Sequence, residues 1–508
     1  MTAKARERLR LALLGVIIVI AVALRLSLGP QVLDDAYITF RYARNLADGQ
    51  GFVYNLGERV LGTTTPLFTL LVTLGFRLGA EPHTFALAVN TVFDVVSITI
   101  IYFVCRRLGI PIVGLLAALM LAISGQFMAY TVSGMETSFY IATLLAGWGL
   151  YAGGFIMPAF AVAGVAYLVR PDAILMVAAL YVSLLLSTRR FDLRPVLVAI
   201  LVAVPWLIFA TFYFGSPVPM SVQAKAADAM GSGSTWMSLR ALTIQFLSTG
   251  DSPTGADKNL LFTILFAVGS VLILRSTWQG SRVGGFRTSE AQAVLLPTQR
   301  LAGLFPLLLW SLAYVVIFTL ARAFTYFPWY FIPLYPAYFI ILLVGMGWLV
   351  DRSVPNISKR TKFSDWGEFL LLPLLLMAVT RLPSRVEAQQ LQMENWIAGR
   401  EGAYQRASEF VLANSESDER IGAGEIGAIG YYSRRYIVDV NGLVTPRQPG
   451  QGPVDTFVRY QPEWLIDSEQ GLSAMLVETP WFQSLYRQEW QVPGTRVLVF
   501  RRCEETIP

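Results

Sequence analysis

Long apolar segments separated by short polar connections constrain this 508-residue chain more than any other feature of its sequence. Hydrophobic residues make up 55% of the chain and charged residues 15%, whereas soluble domains carry about 25% charged residues. A membrane-crossing helix needs about 20 apolar residues, and the runs add up to about eleven crossings. The sequence therefore predicts an α-helical polytopic membrane protein. The runs are Leu11–Leu28, Thr84–Val104, Ile112–Tyr130, Ser138–Ala152, Phe155–Leu168, Ala173–Leu186, Pro195–Phe214, Leu260–Leu274, Leu301–Leu320, Tyr330–Val350 and Phe369–Val379.

The distribution of basic residues predicts how the chain is oriented in the membrane. Basic residues between Lys4 and Arg10 precede the first run, which has no small-residue cleavage site, so we expect a retained helix with a cytoplasmic N-terminus. The run Pro66–Leu78 is too short to cross, so we expect it at the outer interface. This orientation places a first outer loop, residues 30–83, on the extracytoplasmic side of the cell membrane.

The composition changes near the end of the chain to that of a soluble domain. We therefore predict a transmembrane domain over residues 1–383 and a small extracytoplasmic α/β domain over residues 384–508. Within the second, Tyr404–Leu412 is typical of a helix, and Tyr436–Val440, Trp464–Ile466 and Arg496–Phe500 are typical of strands.

This tail also contains the spacing Gly422-x-Gly424-x-x-Gly427, which matches the glycine pattern of dinucleotide-binding turns. Because Tyr431–Arg435 and another strand follow soon afterwards, little room is left for the helix that such a turn requires. We interpret the pattern as a glycine-rich turn with no nucleotide bound to it.

Composition also excludes several kinds of chemistry. His83 is the one histidine and Cys105 and Cys503 are the two cysteines, which leaves no zinc site, disulfide framework or histidine-based triad. The net charge of +6 comes from basic residues in short loops, where they set topology rather than bind nucleic acid. Any catalytic base must therefore be a carboxylate.

Carboxylates and cations gather on the face predicted to be outside. Asp34 and Asp35 follow the first apolar run, and an ionised carboxylate there is costly unless it is paired or used. Each such residue alone also fits a helix cap or a lipid headgroup contact. Their convergence points to a base beside an anion-binding patch. The other members are Arg41, Arg44, Ser133–Thr137 with Glu136, Arg170-Pro171-Asp172, Lys225, and Arg322 with Tyr326–Tyr330.

A lipid-phosphate sugar meets the demands of such a face. Its phosphate would dock on arginine or lysine, and a carboxylate would take a proton from an acceptor hydroxyl as that hydroxyl attacks the anomeric carbon. Cations would stabilise the departing phosphate. The chemistry requires no nucleotide.

Two segments carry a resemblance to a known family: residues 34–46, which begin Asp-Asp-Ala-Tyr-Ile, and residues 49–67, which contain Tyr54-Asn55-x-Gly57-Glu58-Arg59. They resemble the terminal β-(1→2) arabinofuranosyltransferase family and its relatives in the GT-C superfamily of integral-membrane, lipid-phosphate-sugar-dependent glycosyltransferases. The segments Ser133–Thr137, Arg170–Asp172, Pro219–Lys225 and Gly427–Tyr432 are similar to those relatives as well.

The resemblance implies a GT-C fold and an inverting transferase whose general base is an acid of the first outer loop. That role falls on Asp34 or Asp35, and we favour Asp34, with Asp35 orienting substrate or binding a cation. Glu136 would be a second acid near the acceptor. No metal site is assigned, although the adjacent carboxylates permit a divalent cation. Phosphate or sugar contacts would come from Tyr37, Arg41, Arg44, Arg170, Lys225, Arg322 and Tyr330.

The expected partners are a polyprenyl-phosphate sugar donor and a cell-surface glycan, lipid or protein acceptor. The sugar stays open among arabinofuranose, mannose, aminoarabinose and other pentoses or hexoses. The tail is a candidate acceptor holder through Tyr431, Tyr432, Trp464 and Trp481. A transporter or flippase for a lipid-linked or anionic substrate, and a binding module on a membrane anchor, are the alternative functions.

Overall fold

The computed structural model describes residues 2–222, 224, 235–247, 260–282, 301–322, 328–353, 373, 380, 387, 397–448 and 450–503. Its first part is helical. The helices are α1 (Ala3–Leu28), α2 (Asp34–Ala47), α3 (Pro66–Arg77), α4 (Pro82–Arg107), α5 (Pro111–Ile123), α6 (Gly125–Thr131), α7 (Thr137–Ala152), α8 (Ile156–Val169), α9 (Ile174–Thr188), α10 (Arg194–Phe214), α11 (Thr235–Leu247), α12 (Leu260–Arg282), α13 (Phe305–Leu320) and α14 (Tyr335–Ser353).

Helix length and apolarity confirm a polytopic membrane protein, although not the count of eleven spans. Within the described ranges, seven helical segments are long and apolar enough to cross a membrane, or eight if α5 and α6 form one span. These two helices meet at a 63° bend, so the predicted run Ile112–Tyr130 is broken. Helix α8 is shorter than a full span, as is α3, in agreement with the prediction for Pro66–Leu78. The run Phe369–Val379 lies outside the described residues.

A buried ion pair stabilises the bend between α5 and α6. Arg25 Nε donates to Asp94 Oδ2 at 2.9 Å, and both side chains are fully buried. The Arg25 guanidinium also donates to the carbonyl oxygen of Ala122 at 2.5 Å, in the last turn of α5, where carbonyl groups lack helical partners. The Thr131 hydroxyl in α6 donates to the same Asp94 oxygen at 2.7 Å. Two opposite charges in separate apolar runs thus connect four helices.

The tail forms a five-stranded mixed sheet with the strand order β2-β1-β3-β5-β4. Strand β1 pairs in parallel with β2 and with β3, whereas β5 pairs antiparallel with β3 and β4. The sequence predicted the helix α15 and the strands β2, β3 and β5 to within a few residues. The elements are α15 (Gly402–Asn414), β1 (Arg420–Ala423), α16 (Gly427–Ser433), β2 (Tyr436–Asp439), α17 (Pro453–Tyr460), β3 (Trp464–Ser468), α18 (Leu472–Leu476), α19 (Pro480–Leu485), β4 (Tyr486–Gln491) and β5 (Val497–Arg502).

One local prediction for the tail is wrong. A seven-residue helix, α16, does follow the glycine-rich turn and connects the parallel strands β1 and β2. The helix fits because it starts at the last glycine of the pattern, Gly427, and ends at Ser433 before β2 begins.

The buried ion pair gives a stability prediction. Arg25→Ala should lower the free energy of unfolding by about 3–5 kcal/mol, because it leaves the Asp94 carboxylate buried without its counter-charge. The double variant Arg25→Met/Asp94→Leu should recover most of that loss, and thermal unfolding in detergent measures both. A double variant no more stable than Arg25→Ala would contradict this account.

Candidate active site

One face of α2 lies against the tail helix α16. The residues of that face are Asp34, Tyr37, Arg41 and Arg44, whose spacing of three, four and three places them in one row along a helix. Each of the four contacts residues between Gly427 and Arg435. Four predicted site residues are therefore junction residues between the membrane helices and the tail.

Asp34 binds the first turn of α16. The backbone N–H groups of Gly427 and Ala428 donate to its two carboxylate oxygens at 2.9 and 2.8 Å. A carboxylate is favoured there because the first N–H groups of a helix have no partner within the helix. Gly427 permits this approach, since a Cβ atom at that position would overlap the Asp34 backbone. Burial nevertheless raises the pKa of Asp34 above its ordinary value.

Arg41 binds the other end of α16 and the loop beyond it. Its guanidinium donates to the carbonyl oxygens of Gly430 at 2.7 Å and Arg435 at 2.8 Å, and within its own loop to the Tyr54 carbonyl at 2.8 Å and Asn55 Oδ1 at 3.2 Å. Only 3% of the residue is exposed. We therefore reassign Arg41 from phosphate contact to the junction, because protein acceptors already occupy its donors.

Tyr37 and Arg44 complete the row with aromatic contacts. The Tyr37 hydroxyl shares a hydrogen bond of 3.0 Å with the Tyr432 hydroxyl. Arg44 donates to the carbonyl oxygen of Tyr431 at 2.9 Å and lies 4.6 Å above the ring of the same residue. The Tyr37 ring also packs against the rings of Tyr431 and Tyr432. Tyr37 and Arg44, predicted to bind substrate, and Tyr431 and Tyr432, predicted to hold acceptor, are therefore reassigned to the junction.

The rest of the first loop extends this junction to the edge of the tail sheet. The side-chain amide of Asn55 pairs with both backbone groups of Ile437 in the edge strand β2, accepting at 3.0 Å and donating at 2.9 Å. The Tyr54 hydroxyl donates to the carbonyl oxygen of Ile426 at 2.5 Å. The motif Tyr54–Asn55 is thus explained by contacts between domains.

The glycine-rich turn serves the same junction. In dinucleotide-binding proteins the helix that follows such a turn receives a phosphate at its N-terminus. In this chain the Asp34 carboxylate occupies that position. A Cβ atom at Gly430 would overlap the Tyr54 hydroxyl, so the glycine allows close packing of the first loop. The sequence-based interpretation of a turn without a nucleotide fits this contact.

Asp35 differs from its neighbour. Its side chain is partly buried, and it makes no hydrogen bond or ion pair with any residue that the structure describes. Burial raises the pKa of Glu136 and of Glu425, and the charge of Asp35 adds to both increases. No described residue donates a hydrogen bond to the Asp35 carboxylate, so both of its oxygens can accept one. The segments that carry Asp35, Glu136 and Glu425 meet at this point.

Glu136 belongs to a buried group of opposite charges. It lies at the start of α7, 3.7 Å from the Arg170 guanidinium, and burial raises its pKa. Arg170 pairs with Asp172 at 3.0 and 3.3 Å, and the Tyr140 hydroxyl donates to the same carboxylate at 3.0 Å. The guanidinium also lies 4.8 and 5.1 Å from the ring centres of Tyr140 and Tyr330. Arg170, which packs against Tyr330, thus positions Glu136, and we reassign Arg170 from substrate contact to this role.

The loop that carries Glu136 is fixed against the first loop. The N–H group of Leu33 donates to the carbonyl oxygen of Ser133 at 3.1 Å, immediately before the two aspartates. Asn90 in α4 donates to the carbonyl oxygen of Met135 at 2.8 Å. Gly134 packs against α2 with a positive φ of 77°. The predicted convergence of Asp35 and Glu136 follows from these contacts.

The tail supplies two charged residues that the sequence did not single out. Glu425 lies within the glycine-rich turn, and Arg400 pairs with it at 3.0 Å. Burial, together with the negative charges of Asp34 and Asp35, raises the pKa of Glu425 to about 8, although 42% of its side chain is exposed. Its position inside the motif was the available signal.

Two predicted cations are less fully described. Lys225 lies outside the described residues. Arg322 follows α13 with a left-handed backbone, φ 56°, and is partly buried.

In the tail, Trp464 is 1% exposed and belongs to the sheet core, so it offers no ring face to an acceptor, whereas Trp481 is partly buried.

The carboxylates do not form a metal cage in the described part of the chain. No group of three or more His, Cys, Asp or Glu residues there is close enough to hold a metal ion. Backbone N–H groups bind both Asp34 oxygens, one to each. We assign no step to a metal.

The junction gives a stability prediction for Arg41. Arg41→Ala should cost about 3 kcal/mol or more, because the carbonyl groups of Tyr54, Gly430 and Arg435 lose their charged donor. The matched control is Arg77→Ala, at an exposed position of α3. Thermal unfolding and limited proteolysis of the tail would measure the difference, and equal behaviour of the two variants would contradict the assignment.

The raised pKa values predict how stability depends on pH. Glu425 binds its proton more tightly in the folded chain than in the unfolded chain, where its pKa is near 4.5. Its contribution is therefore complete below pH 4.5 and is lost as the pH rises through about 8. The melting temperature should fall between pH 6 and 8.5 in the wild type and less in Glu425→Gln. Glu478→Gln, at an exposed position in the tail, is the control and should keep the wild-type slope.

Comparison with known proteins gives matches to parts of the chain and to nearly all of it. A family described as a domain of unknown function (DUF8728) matches residues 385–505. The terminal β-(1→2) arabinofuranosyltransferase of Mycobacterium tuberculosis is 28% identical over 232 residues. That match covers 41% of this chain and 37% of the relative, so the chain matches little more than a third of that enzyme's length.

Two solved structures match nearly the whole length of this chain. ArnT from Cupriavidus metallidurans bound to undecaprenyl phosphate matches with a TM-score of 0.55 and 16% identity, over 99% of both chains. The archaeal oligosaccharyltransferase AglB from Archaeoglobus fulgidus, in complex with an inhibitory peptide and a dolichol-phosphate, matches with a TM-score of 0.56 and 14% identity. That match covers 99% of this chain and 75% of AglB. The chain therefore has the GT-C fold.

Proposed function

We propose that this protein is an inverting glycosyltransferase that moves a sugar from a polyprenyl-phosphate donor to an acceptor hydroxyl on the extracytoplasmic side of the cell membrane. The observation that carries the proposal is Asp35, a carboxylate without a hydrogen-bond partner among the described residues, beside Glu136 and Glu425. Two structural neighbours, ArnT bound to undecaprenyl phosphate and AglB in complex with a dolichol-phosphate, support a lipid-phosphate donor.

Asp35 is the general base of the proposed reaction. Its carboxylate takes the proton of the acceptor hydroxyl, whose oxygen forms a bond to the anomeric carbon from the face opposite the phosphate. The bond between that carbon and the phosphate oxygen breaks, and polyprenyl phosphate leaves with the electron pair. This assignment moves the role of base from Asp34, which the sequence favoured, to Asp35, because Asp34 is engaged at the junction.

The remaining charged residues take separate roles. Glu136, held by Arg170, orients the acceptor next to Asp35. Lys225 and Arg322 remain our candidates for contact with the donor phosphate, since Arg41, Arg44 and Arg170 bind protein groups. The N-terminus lies in the cytoplasm and the tail outside, as the basic residues near the first helix favour.

The choice of donor sugar rests on a partial match to one relative, and the acceptor is proposed only as a class of molecule. The match to an arabinofuranosyltransferase makes arabinofuranose the first donor sugar to test, followed by mannose and aminoarabinose. The acceptor is a cell-surface glycan, lipid or protein, and an octyl glycoside can stand in for it. Purified protein incubated with labelled polyprenyl-phosphate sugars should form a glycosylated octyl product, and no product from any donor would overturn the proposal.

Substitution of Asp35 should affect turnover, whereas substitution of Asp34 should affect stability. Asp35→Asn should lower kcat by about 10²- to 10⁴-fold while leaving the melting temperature near that of the wild type, because it removes the base. Asp34→Asn should lower the melting temperature, because its amide NH₂ group opposes one of the two N–H donors of α16. Steady-state kinetics and thermal unfolding separate the outcomes. Wild-type turnover by Asp35→Asn would remove the proposed base.

A further inference from the structure

Of the three neighbouring acids Asp35, Glu136 and Glu425, only Glu425 comes from the tail rather than from the membrane domain. It lies on the loop between β1 and α16, and its neighbours on both sides are fixed. The Asn441 amide donates to the carbonyl oxygen of Gly424 at 2.8 Å, and the Tyr54 hydroxyl donates to that of Ile426 at 2.5 Å. Two residues later, Gly427 binds Asp34. The loop is therefore rigidly placed beside the first loop of the membrane domain.

The side chain of Glu425 is held but not enclosed. Oε1 accepts from Arg400 at 3.0 Å, and 42% of the side chain is exposed. The structure gives it no further hydrogen bond with a described residue, so its second oxygen can bind another group. The electrostatic effects of Asp34 and Asp35 on Glu425 place it in the neighbourhood of the proposed base.

A sugar acceptor suits such a pair of carboxyl groups. Adjacent hydroxyl groups of a sugar need several acceptors and donors at fixed positions, and a fixed carboxyl group next to the base provides them. A carboxyl group with a raised pKa can also donate a hydrogen bond near neutral pH. The pairing with Arg400 fixes one oxygen and leaves the other available.

We propose that Glu425, carried by the tail and held by Arg400, binds a hydroxyl group of the acceptor sugar beside Asp35, so that the tail domain completes the acceptor subsite. This inference rests on the proposed transferase function. It assigns the tail a direct part in the site through its glycine-rich turn, whereas its aromatic residues Tyr431, Tyr432 and Trp464 serve the junction or the core.

The test compares Glu425→Gln with Glu478→Gln, using an octyl arabinofuranoside acceptor and whichever polyprenyl-phosphate sugar the wild type uses. Glu425→Gln should raise the acceptor KM about 10- to 100-fold, the loss expected when one hydrogen bond to the acceptor is replaced by an unsatisfied polar group, and leave the donor KM within about twofold. Its pH–rate profile should also lose the inflection near pH 8. Glu478→Gln should match the wild type in all three measurements.

The outcomes separate this inference from the function on which it rests. If the wild type transfers sugar and Glu425→Gln keeps the wild-type acceptor KM and pH profile, Glu425 has no acceptor role and the transferase proposal stands. If the wild type transfers no sugar from any donor, both the transferase proposal and the acceptor role of Glu425 are wrong. Should Glu425→Gln fail to fold, Glu425→Asp retains the charge on a shorter side chain and should raise the acceptor KM in the same direction.

Discussion

The contact between one face of α2 and the seven-residue helix α16 determines how the rest of this structure is arranged. An acid binds the N-terminal N–H groups of α16 and an arginine binds carbonyl groups at and beyond its other end, so the charges match the helix dipole. Asp34 and Arg41 are seven residues apart, which is about two helical turns, or about 10 Å along the axis. The tail is thereby fixed to the membrane helices by buried, charge-assisted hydrogen bonds.

This contact divides the predicted site into two sets. Residues on the row that faces α16 hold the domains together, whereas Asp35, next in sequence to Asp34 and about 100° around the helix, is left for other partners. Glu136 reaches the same region because its loop pairs with the residues just before Asp34. Glu425 reaches it because Gly427, two residues away, is the ligand of Asp34. One helix thus brings together acids from three distant segments, and the opposed environments of neighbouring acids are typical of sites that transfer protons.

The sequence predicted the class of the protein and the segments of its site better than the role of each residue. Apolar runs predicted most of the membrane helices but not α2, and β-branched and aromatic runs predicted three of the five tail strands. The sequence placed Asp34, Tyr37, Arg41 and Arg44 in the first outer loop, but it could not show whether their partner was a phosphate or a protein helix. Polar groups suited to an anion also suit helix ends, and only the fold distinguishes them. Glu425 and Arg400 lie far along the chain, and Arg25 and Asp94 were passed over although a charge within an apolar run indicates a buried partner.

An experimental structure with a bound phosphonate analogue of the polyprenyl-phosphate sugar tests the central claim most directly. The account predicts that Asp34 stays on the N–H groups of Gly427 and Ala428 while Asp35 lies next to the anomeric carbon, on the side opposite the phosphonate. A structure in which Asp34 leaves α16 to approach the sugar, or in which Asp35 points away from the bound analogue, would contradict it.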